Sequence, residues 1–382
     1  MNFHIFSAQY LPTVGGVERY TNSLAKELIK KGHNVAVVTS SLAGMPCRET
    51  DCDGINIRRL PSVPFMRGRF PTVKPSKELN NFIKDFARDK PDFCVIQTRF
   101  YTLSLFAAWL CKKYNVPAII IDHSTSHLMG GGFTGLLGNV YEHVAAYYLT
   151  RTVGDFYGVS CRCVKWLSHF DISAVGVLYN SVDLEYINSI SPVEKTKYTD
   201  TADQLLIVFS ARLIAEKGVY KIIDAFNGIS SKVNAKLVIA GTGPLEEDIK
   251  NKQSDKITAT GVLNYGDVIA LYKSADIFCL PTDYPEGFPT AVLESAACKT
   301  MLIASDKGGT SEIISDSNYG ILLNDTSVDT IQKALLTACT DKEYREKCIE
   351  NAYAKLSQTF TWDKTCDKLL EIANKKVNRE EK

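Results

Sequence analysis

Glu286 and Glu294 lie eight positions apart in the segment DYPEGFPTAVLE. The apolar run 277–280 before it predicts a buried strand, and residues 289–298 predict a helix. Pro289 suits the first helical position, because its missing N–H would be unpaired there. The N–H groups and dipole of a helix start bind anions, whereas carboxylates accept hydrogen bonds from hydroxyl groups. The segment therefore predicts a site for a ligand with phosphate and hydroxyl groups, such as a sugar nucleotide. The alternative is an ordinary strand–turn–helix unit with two solvated glutamates.

Two cations stand in a similar position earlier in the chain. Arg212 and Lys217 follow the apolar strand 205–210 and precede a predicted helix. Two cations at such a turn can neutralise a diphosphate. The alternative is a solvated surface pair. The run Gly241-Thr242-Gly243-Pro244 follows another apolar strand and predicts a third turn of this kind.

The first half of the chain offers a glycine pair and a histidine. Gly15 and Gly16 lie between the predicted strand 2–7 and a helix, where adjacent glycines allow close approach to a phosphate or sugar. Their spacing is not that of the dinucleotide-binding fingerprint. His123 follows the apolar strand 117–122, and ligands of doubly wound sheets bind beyond the carboxyl ends of strands. His123 is therefore the best candidate for a functional histidine, and the alternative is a hydrogen-bonded structural one.

Strands and helices alternate along both halves, which predicts an α/β fold of two doubly wound, Rossmann-like domains. The first domain is predicted over 1–187, a polar linker over 188–203, and the second domain over 204–358. A C-terminal helix within 359–382 is expected to return to the first domain.

Two predicted loops suggest contact with lipid. Residues 61–77 interleave basic and aromatic side chains, including Phe65, Arg67 and Arg69, and such a loop can bind an anionic membrane surface weakly. A solvated loop is the alternative. Residues 128–138 mix glycine with large apolar side chains, which suits an acceptor with a lipid portion or a flexible connection.

Composition narrows the class of protein. The 382 residues are 45% hydrophobic and 23% charged, with a net charge of +1, so no global field points to nucleic acid. No apolar run reaches the roughly 20 residues that a membrane span needs, and the N-terminus does not resemble a signal peptide. We expect a cytoplasmic protein, with any membrane contact at the inner face. The eleven cysteines do not show zinc spacing, so we predict neither a metal site nor a structural disulfide.

The Glu286-to-Glu294 segment resembles the E-x7-E motif of the retaining GT-B glycosyltransferases of family 4, also called glycosyl transferases group 1. Further matching elements follow in the order typical of that family, with serine at 181 and alanine at 211 in place of glycine: Gly15-Gly16 with Glu18, His123, Asn180-Ser181-Val182-Asp183, Ser210-Ala211-Arg212, Glu216-Lys217-Gly218, Gly241-Thr242-Gly243-Pro244 and Phe288-Pro289. The resemblance covers nearly the whole chain and implies two domains that face each other across a cleft.

The resemblance also implies roles for individual residues. Arg212 and Lys217 would bind the donor diphosphate, and Glu294 would accept hydrogen bonds from the ribose hydroxyls. Glu286 would contact the donor sugar, which His123 would reach from the other domain. The remaining donor-binding residues implied are Gly15, Gly16, Gly241, Val262, Gly287, Phe288, Pro289 and Thr290.

The implied reaction moves a hexose from a donor such as a UDP- or GDP-hexose to a hydroxyl of a glycan or lipid-linked acceptor, with retention of anomeric configuration. Neither a metal nor another cofactor is expected, and family members have no settled protein nucleophile. Cell-surface polysaccharide or glycolipid biosynthesis, including lipopolysaccharide, is the expected setting. A nucleotide-sugar epimerase or another GT-B enzyme without transfer is one alternative, which an altered free sugar nucleotide in place of a glycosylated product would reveal. A non-catalytic scaffold is the other, but it would not need Arg212, Lys217, Glu286 and Glu294 together.

Overall fold

The computed structural model describes residues 1–13, 15–65, 68–128 and 132–380. The chain divides into two compact units. Unit 1 comprises Met1–Asn180 and Trp362–Lys382, and unit 2 comprises Ser181–Thr361.

Unit 1 is built on a sheet that has eight strands within the described residues, in the order β10-β9-β8-β7-β1-β2-β4-β3. All of its strand pairs are parallel except β3 with β4. The strands of unit 1 are β1 (Asn2–Phe6), β2 (Asn34–Ser40), β3 (Arg48–Thr50), β4 (Asn56–Leu60), β5 (Ser62–Phe65), β6 (Phe70–Val73), β7 (Phe93–Gln97), β8 (Ala118–Asp122), β9 (Phe156–Gly158) and β10 (Gly176–Val177). Its helices before the crossing into unit 2 are α1 (Gly16–Lys30), α2 (Lys77–Arg88), α3 (Thr102–Tyr114), α4 (Phe133–Thr152) and α5 (Cys161–Leu167).

The order of the strands places a topological switch between β1 and β7. The chain proceeds from β1 outward through β2 and β4, and then returns to the other side of β1 to continue with β7, β8, β9 and β10. The central strands are buried on both faces, which explains why they are continuous apolar runs. The loops after β1, β7 and β8 therefore lie together at the carboxyl edge of the sheet, where such folds bind ligands.

Two regions of unit 1 differ from the prediction. Residues 61–77 were expected to form a loop, but β5 and β6 pair there as an antiparallel hairpin. Met66 and Arg67, part of the predicted membrane loop, lie outside the described residues. The predicted glycine-rich loop 128–138 ends earlier than expected, because α4 already begins at Phe133; residues 129–131 also lie outside the described part of the chain.

Unit 2 contains a sheet that has six parallel strands within the described residues, in the order β13-β12-β11-β14-β15-β16. Its strands are β11 (Leu205–Ser210), β12 (Ala235–Ala240), β13 (Ile257–Gly261), β14 (Ile277–Leu280), β15 (Met301–Ser305) and β16 (Ile321–Leu323). Its helices are α6 (Leu184–Ser189), α7 (Val219–Ile229), α8 (Glu246–Asn251), α9 (Tyr265–Ser274), α10 (Thr290–Ala297), α11 (Thr310–Ile313), α12 (Val328–Thr340) and α13 (Lys342–Thr359). The chain switches direction between β11 and β14, so the loops after these two strands are neighbours. The predicted α/β class with two doubly wound sheets is confirmed.

The boundaries between the units differ from the predicted ones. Residues 188–203 were expected to form a linker, but they lie within unit 2. The backbone N–H of Val193 donates to the carbonyl of Ala270, and the Lys273 ammonium donates to the carbonyl of Ile190, so this polar segment is tied to α9. The last helix, α14 (Trp362–Glu380), belongs to unit 1, where Lys31, the C-cap residue of α1, pairs with Asp363.

Among the described residues, no helix combines the length and the apolar character that crossing a membrane requires.

Candidate functional site

The loops after β11 and β14 meet through a cation and a carboxylate. Lys217 ends a single 3-10 turn, Ala215–Lys217, and its ammonium donates to Oε1 of Glu286 in the loop before α10. The ammonium also lies 4.7 Å from the centre of the Tyr284 ring. Both charged side chains are mostly covered, at 15% and 16% exposed, so a ligand here would meet them in fixed positions. An ammonium beside a carboxylate suits a ligand that carries phosphate and hydroxyl groups.

Backbone contacts lock these two loops to each other. The carbonyl of Glu216 accepts hydrogen bonds from the backbone N–H of Asp283, at 2.7 Å, and of Tyr284, at 3.1 Å. Gly218 has φ +82, and a Cβ there would lie 2.2 Å from the carbonyl oxygen of Pro281. Glycine is therefore required at this position for both its conformation and its size. The position of Lys217 relative to the loop of Glu286 depends on this close packing.

Helix α10 starts immediately after the loop. Pro289 is its N-cap and Thr290 its first residue, so the proline lies one position before the predicted one. Glu294 lies in the second half of the helix and is only 7% exposed, whereas Glu286 belongs to the preceding loop. Phe288 is also buried and packs edge-on against Phe360, with the ring centroids 5.4 Å apart. Along this packed segment, the carboxylate of Glu286 comes first, the first backbone N–H groups of α10 follow, and the carboxylate of Glu294 comes last.

The loop that follows β15 packs against the same segment. A Cβ on Gly308 would lie 2.6 Å from the carbonyl oxygen of Gly287, and one on Gly309 would lie 2.4 Å from the Phe288 ring. Glycines at 308 and 309 therefore allow the backbone after β15 to pack directly on residues 286–288.

Arg212, Gly241 and Val262 follow three adjacent strands, β11, β12 and β13. The Arg212 side chain is exposed, and within the described part of the chain it has no ion-pair partner. Gly241 has φ +140, and a Cβ there would lie 2.0 Å from the carbonyl oxygen of Ala211. Its N–H donates to the carbonyl of Gly261, next to Val262, which is 71% exposed. This row extends the site of unit 2 along the carboxyl edge of its sheet and supplies one further cation.

In unit 1, His123 directly follows β8. Its Nε2 donates to Oε1 of Gln97 at 2.7 Å, because a carbonyl-type oxygen can only accept. This leaves Nδ1 of the neutral ring as an acceptor. The Tyr20 ring packs edge-on at 4.8 Å between centroids, and burial lowers the pKa of His123 to about 4. His123 is therefore neutral at physiological pH and can accept a hydrogen bond from a hydroxyl group.

A buried ionic cluster holds the residues on either side of His123. The Arg99 guanidinium is fully buried and donates to Asp122 at 2.8 Å and to Glu142 on α4 at 2.6 Å. The Asp122 carboxylate in turn accepts from the backbone N–H of Ser124 at 2.8 Å. Burial alone would raise the pKa of Asp122, but the Arg99 guanidinium and the hydrogen bonds from Ser124 lower it overall, so this carboxylate is ionised at neutral pH. Removing one partner would leave an uncompensated buried charge, so this cluster fixes the backbone that presents His123.

The glycine pair of unit 1 caps α1. Gly15 is the N-cap in extended conformation, and a Cβ there would lie 2.3 Å from Oε2 of Glu18. Glu18 is buried, and this burial raises the pKa of its carboxyl group. A Cβ on Gly16, by contrast, would meet nothing within 4 Å. Position 15 is restricted only by the Glu18 side chain and position 16 by nothing, so a ligand can approach the backbone at 16.

Sequence patterns did not single out two residues of these sites. Gln97 forms the last position of β7, and its place at the carboxyl end of a parallel strand was the available signal. Tyr284 lies inside the loop that contains Glu286, but its contact with Lys217 depends on how β11 and β14 are paired.

Two family models match this chain. The model of glycosyl transferases group 1 matches residues 192–355, and that of glycosyltransferase family 4 matches residues 14–186. The matched ranges together take up most of both halves of the chain.

Individual proteins are similar along most of their lengths. An uncharacterized glycosyltransferase of Methanocaldococcus jannaschii is 23% identical, with 98% of each chain covered. A GDP-mannose-dependent phosphatidylinositol dimannoside mannosyltransferase of Mycobacterium tuberculosis is 26% identical, over 94% of this chain and 93% of the mycobacterial protein. Among solved structures, Anabaena HepE in complex with UDP has a TM-score of 0.76 at 16% identity, with 98% of this chain and 99% of that chain covered.

Proposed function

Because the chain belongs to the GT-B glycosyl transferases of group 1, we propose that it transfers a hexose from a nucleotide sugar to a hydroxyl group of a glycan or lipid-linked acceptor, with retention of anomeric configuration. The observation that carries the proposal is the contact between Lys217 and Glu286 at the topological switch of unit 2. Glycolipid or cell-surface polysaccharide biosynthesis is the proposed setting. The name of the mycobacterial relative includes a phosphatidylinositol glycolipid and GDP-mannose, and HepE was crystallised with UDP, which supports a nucleotide-linked donor.

The proposed donor site uses charge to stabilise the leaving group. As the bond between the sugar and the diphosphate breaks, negative charge develops on the phosphate oxygens. Lys217 is preorganised by Glu286 and Tyr284, and Arg212 adds a second cation from the same turn. Preorganised donors of this kind stabilise a transition state without reorganising at the moment of reaction. These side chains and the N–H groups of α10 neutralise that charge, so the proposal needs no metal.

The two carboxylates are assigned to hydroxyl groups. The mostly covered Glu286 would accept a hydrogen bond from the donor sugar, and the buried Glu294 would accept hydrogen bonds from the ribose. A carboxylate beside a diphosphate would repel it, but the ammonium of Lys217 compensates the charge of Glu286. His123, neutral and with Nδ1 as an acceptor, is assigned to a hydroxyl of the transferred sugar.

Mass spectrometry of reaction products tests this proposal. The purified chain would be incubated with UDP- and GDP-hexoses and with glycan or polyprenyl- and diacylglycerol-linked acceptors. An acceptor heavier by one hexose, with the configuration of the donor preserved by NMR, is the expected result. An isomerised free sugar nucleotide without transfer would instead support an epimerase, and an inverted product would refute the retaining assignment.

A further inference from the structure

Helix α4 carries an exposed apolar face that packing within unit 1 does not explain. Its buried residues include Glu142, Ala145, Ala146 and Leu149, which form the side towards the core. At roughly 3.6 residues per turn, the opposite side is formed by other positions, and most of the exposed ones are apolar, with His143 at its flank. The apolar ones are Leu136 (60% exposed), Leu137 (56%), Val140 (55%), Val144 (62%) and Tyr147 (63%). A surface helix of a globular protein ordinarily has polar residues on this side.

The hairpin β5–β6 extends this apolar surface. Phe70 on the hairpin contacts Tyr141 on α4, with the ring centroids 5.8 Å apart. On the same hairpin, Val63 is 50% and Phe65 62% exposed. Two neighbouring elements of unit 1 therefore present large apolar side chains to solvent, and we call them together the α4–hairpin face. Contiguous exposed apolar surface of this kind marks an interaction site.

The exposed charged residues described around the face are cations. Glu142 is the one acidic residue in the sequence of α4, and it is buried in its ion pair with Arg99. Arg151 lies at the exposed end of the stripe, where its guanidinium is 5.2 Å from the centre of the Tyr147 ring. Arg69 of the hairpin is also exposed. The apolar side chains are thus accompanied by an aromatic ring and by cations, as in proteins that lie in the headgroup region of a membrane.

We propose that the α4–hairpin face docks on the surface of an anionic lipid bilayer. The apolar side chains enter the boundary between headgroups and acyl chains, while Arg69 and Arg151 remain among the anionic headgroups. A second copy of the chain fits less well, because a symmetric contact would bring the same cationic rim against itself. The proposal does not rest on the transferase activity, since docking needs neither donor nor acceptor.

Vesicle co-sedimentation tests the docking directly. The full chain would be mixed with phosphatidylcholine vesicles with and without phosphatidylglycerol, at low and high salt. We expect binding to the anionic vesicles that weakens with salt, and a tenfold or greater loss of partitioning in Val140→Gln/Val144→Gln. Phe65→Ser should reduce binding as well, because the hairpin is part of the same face. Val175→Gln, an equally exposed valine outside α4 and the hairpin, serves as the matched control and should bind like the original chain.

The outcomes distinguish a lipid bilayer from a second copy of the chain as the partner of this face. Absence of vesicle binding by the original chain, or equal binding by the α4 double variant and the control, would overturn the proposal. A dimer in analytical ultracentrifugation that the double variant abolishes, without vesicle binding, would assign the face to a second copy instead. Unchanged melting temperatures and unchanged affinity for nucleoside diphosphate would show that the variants are folded. Because docking requires neither donor nor acceptor, loss of docking with unchanged affinity for nucleoside diphosphate would leave the proposed function standing.

Discussion

Replacing Lys217 by alanine is the sharpest test of how the donor site works. In the proposal, its ammonium neutralises the diphosphate as the sugar leaves. At an effective dielectric constant of about 20, two unit charges about 4 Å apart interact by about 4 kcal/mol. Since a tenfold change in rate corresponds to about 1.4 kcal/mol, we expect turnover to fall by about 100- to 1,000-fold. The cost in stability should exceed the roughly 1 kcal/mol of an exposed ion pair, because both side chains are mostly covered and Glu286 would lose its compensating cation.

The structure offers a matched control a few residues further along the chain. Lys221 lies in the first turn of α7, pairs with Asp283 and donates to Thr326 at 2.6 Å. Lys221→Ala therefore makes the same change of charge close to the same loop, yet the proposal gives Lys221 no role. Its turnover should remain within about threefold of the original, as expected for a surface substitution. Equal defects in both variants would show that the loop tolerates neither change, and would refute a specific role for Lys217.

A double variant tests whether Lys217 acts on the diphosphate or only compensates the charge of Glu286. Lys217→Ala also removes the cation that compensates Glu286, and this carboxylate could then repel the donor. If that were the whole effect, Lys217→Ala/Glu286→Gln would recover most of the turnover. We expect no recovery, because the proposal has both side chains contacting the donor. Steady-state kinetics with melting curves on all four proteins would decide, and original turnover in a folded Lys217→Ala protein would end the argument.

Three further predictions concern glycine geometry, His123 and pH. Gly16→Ala should leave the melting temperature unchanged but lower turnover. Gly241→Ala should lower both stability and nucleotide affinity, because its Cβ would collide with the carbonyl of Ala211. Equal melting temperatures for these two variants would contradict the packing argument. His123→Ala should keep affinity for nucleoside diphosphate in calorimetry within a few-fold, while transfer falls by about a hundredfold or more; a parallel loss of affinity would place His123 in the nucleotide site or in a structural role. The folded-state pKa values of His4 and His123 are lowered by burial from 6.5 to about 4, so the unfolded chain binds protons more readily and stability should fall as pH drops from 6.5 towards 4. Urea midpoints that stay level through this range, or a His123→Gln variant with the full pH dependence, would contradict this assignment.

The sequence predicted the parts of the fold that have strong local signals. The central strands of both units are apolar runs buried on two sides, and the turns that follow them contain the glycines and charges of the candidate sites. The hairpin β5–β6 was missed because its strands are short, contain Pro64 and Pro71, and expose much of their surface, so they show no clear alternation. The early start of α4 was missed because Gly135 and Gly138 lower helix propensity, and only packing in the fold overrides that preference.

Contacts between distant segments could not be predicted in the same way. Residues 188–203 are polar, and nothing in their composition shows that Val193 and the carbonyl of Ile190 bind α9. The pairing of Gln97 with His123 follows from the parallel register of β7 and β8, because a glutamine at a strand end has no distinctive signal of its own. Lys217 and Glu286, unlike Gln97, could be recognised from the sequence by their positions at two strand-to-helix turns. Their direct contact could not be predicted, because it depends on the pairing of β11 with β14.

A crystal structure of the chain with bound nucleoside diphosphate tests the central claim most directly. The account predicts the diphosphate within hydrogen-bonding distance of the Lys217 ammonium and of the first N–H groups of α10. It also predicts the ribose hydroxyls at the carboxylate of Glu294. A nucleotide bound away from the loops after β11 and β14, with the contact between Lys217 and Glu286 untouched, would contradict the account.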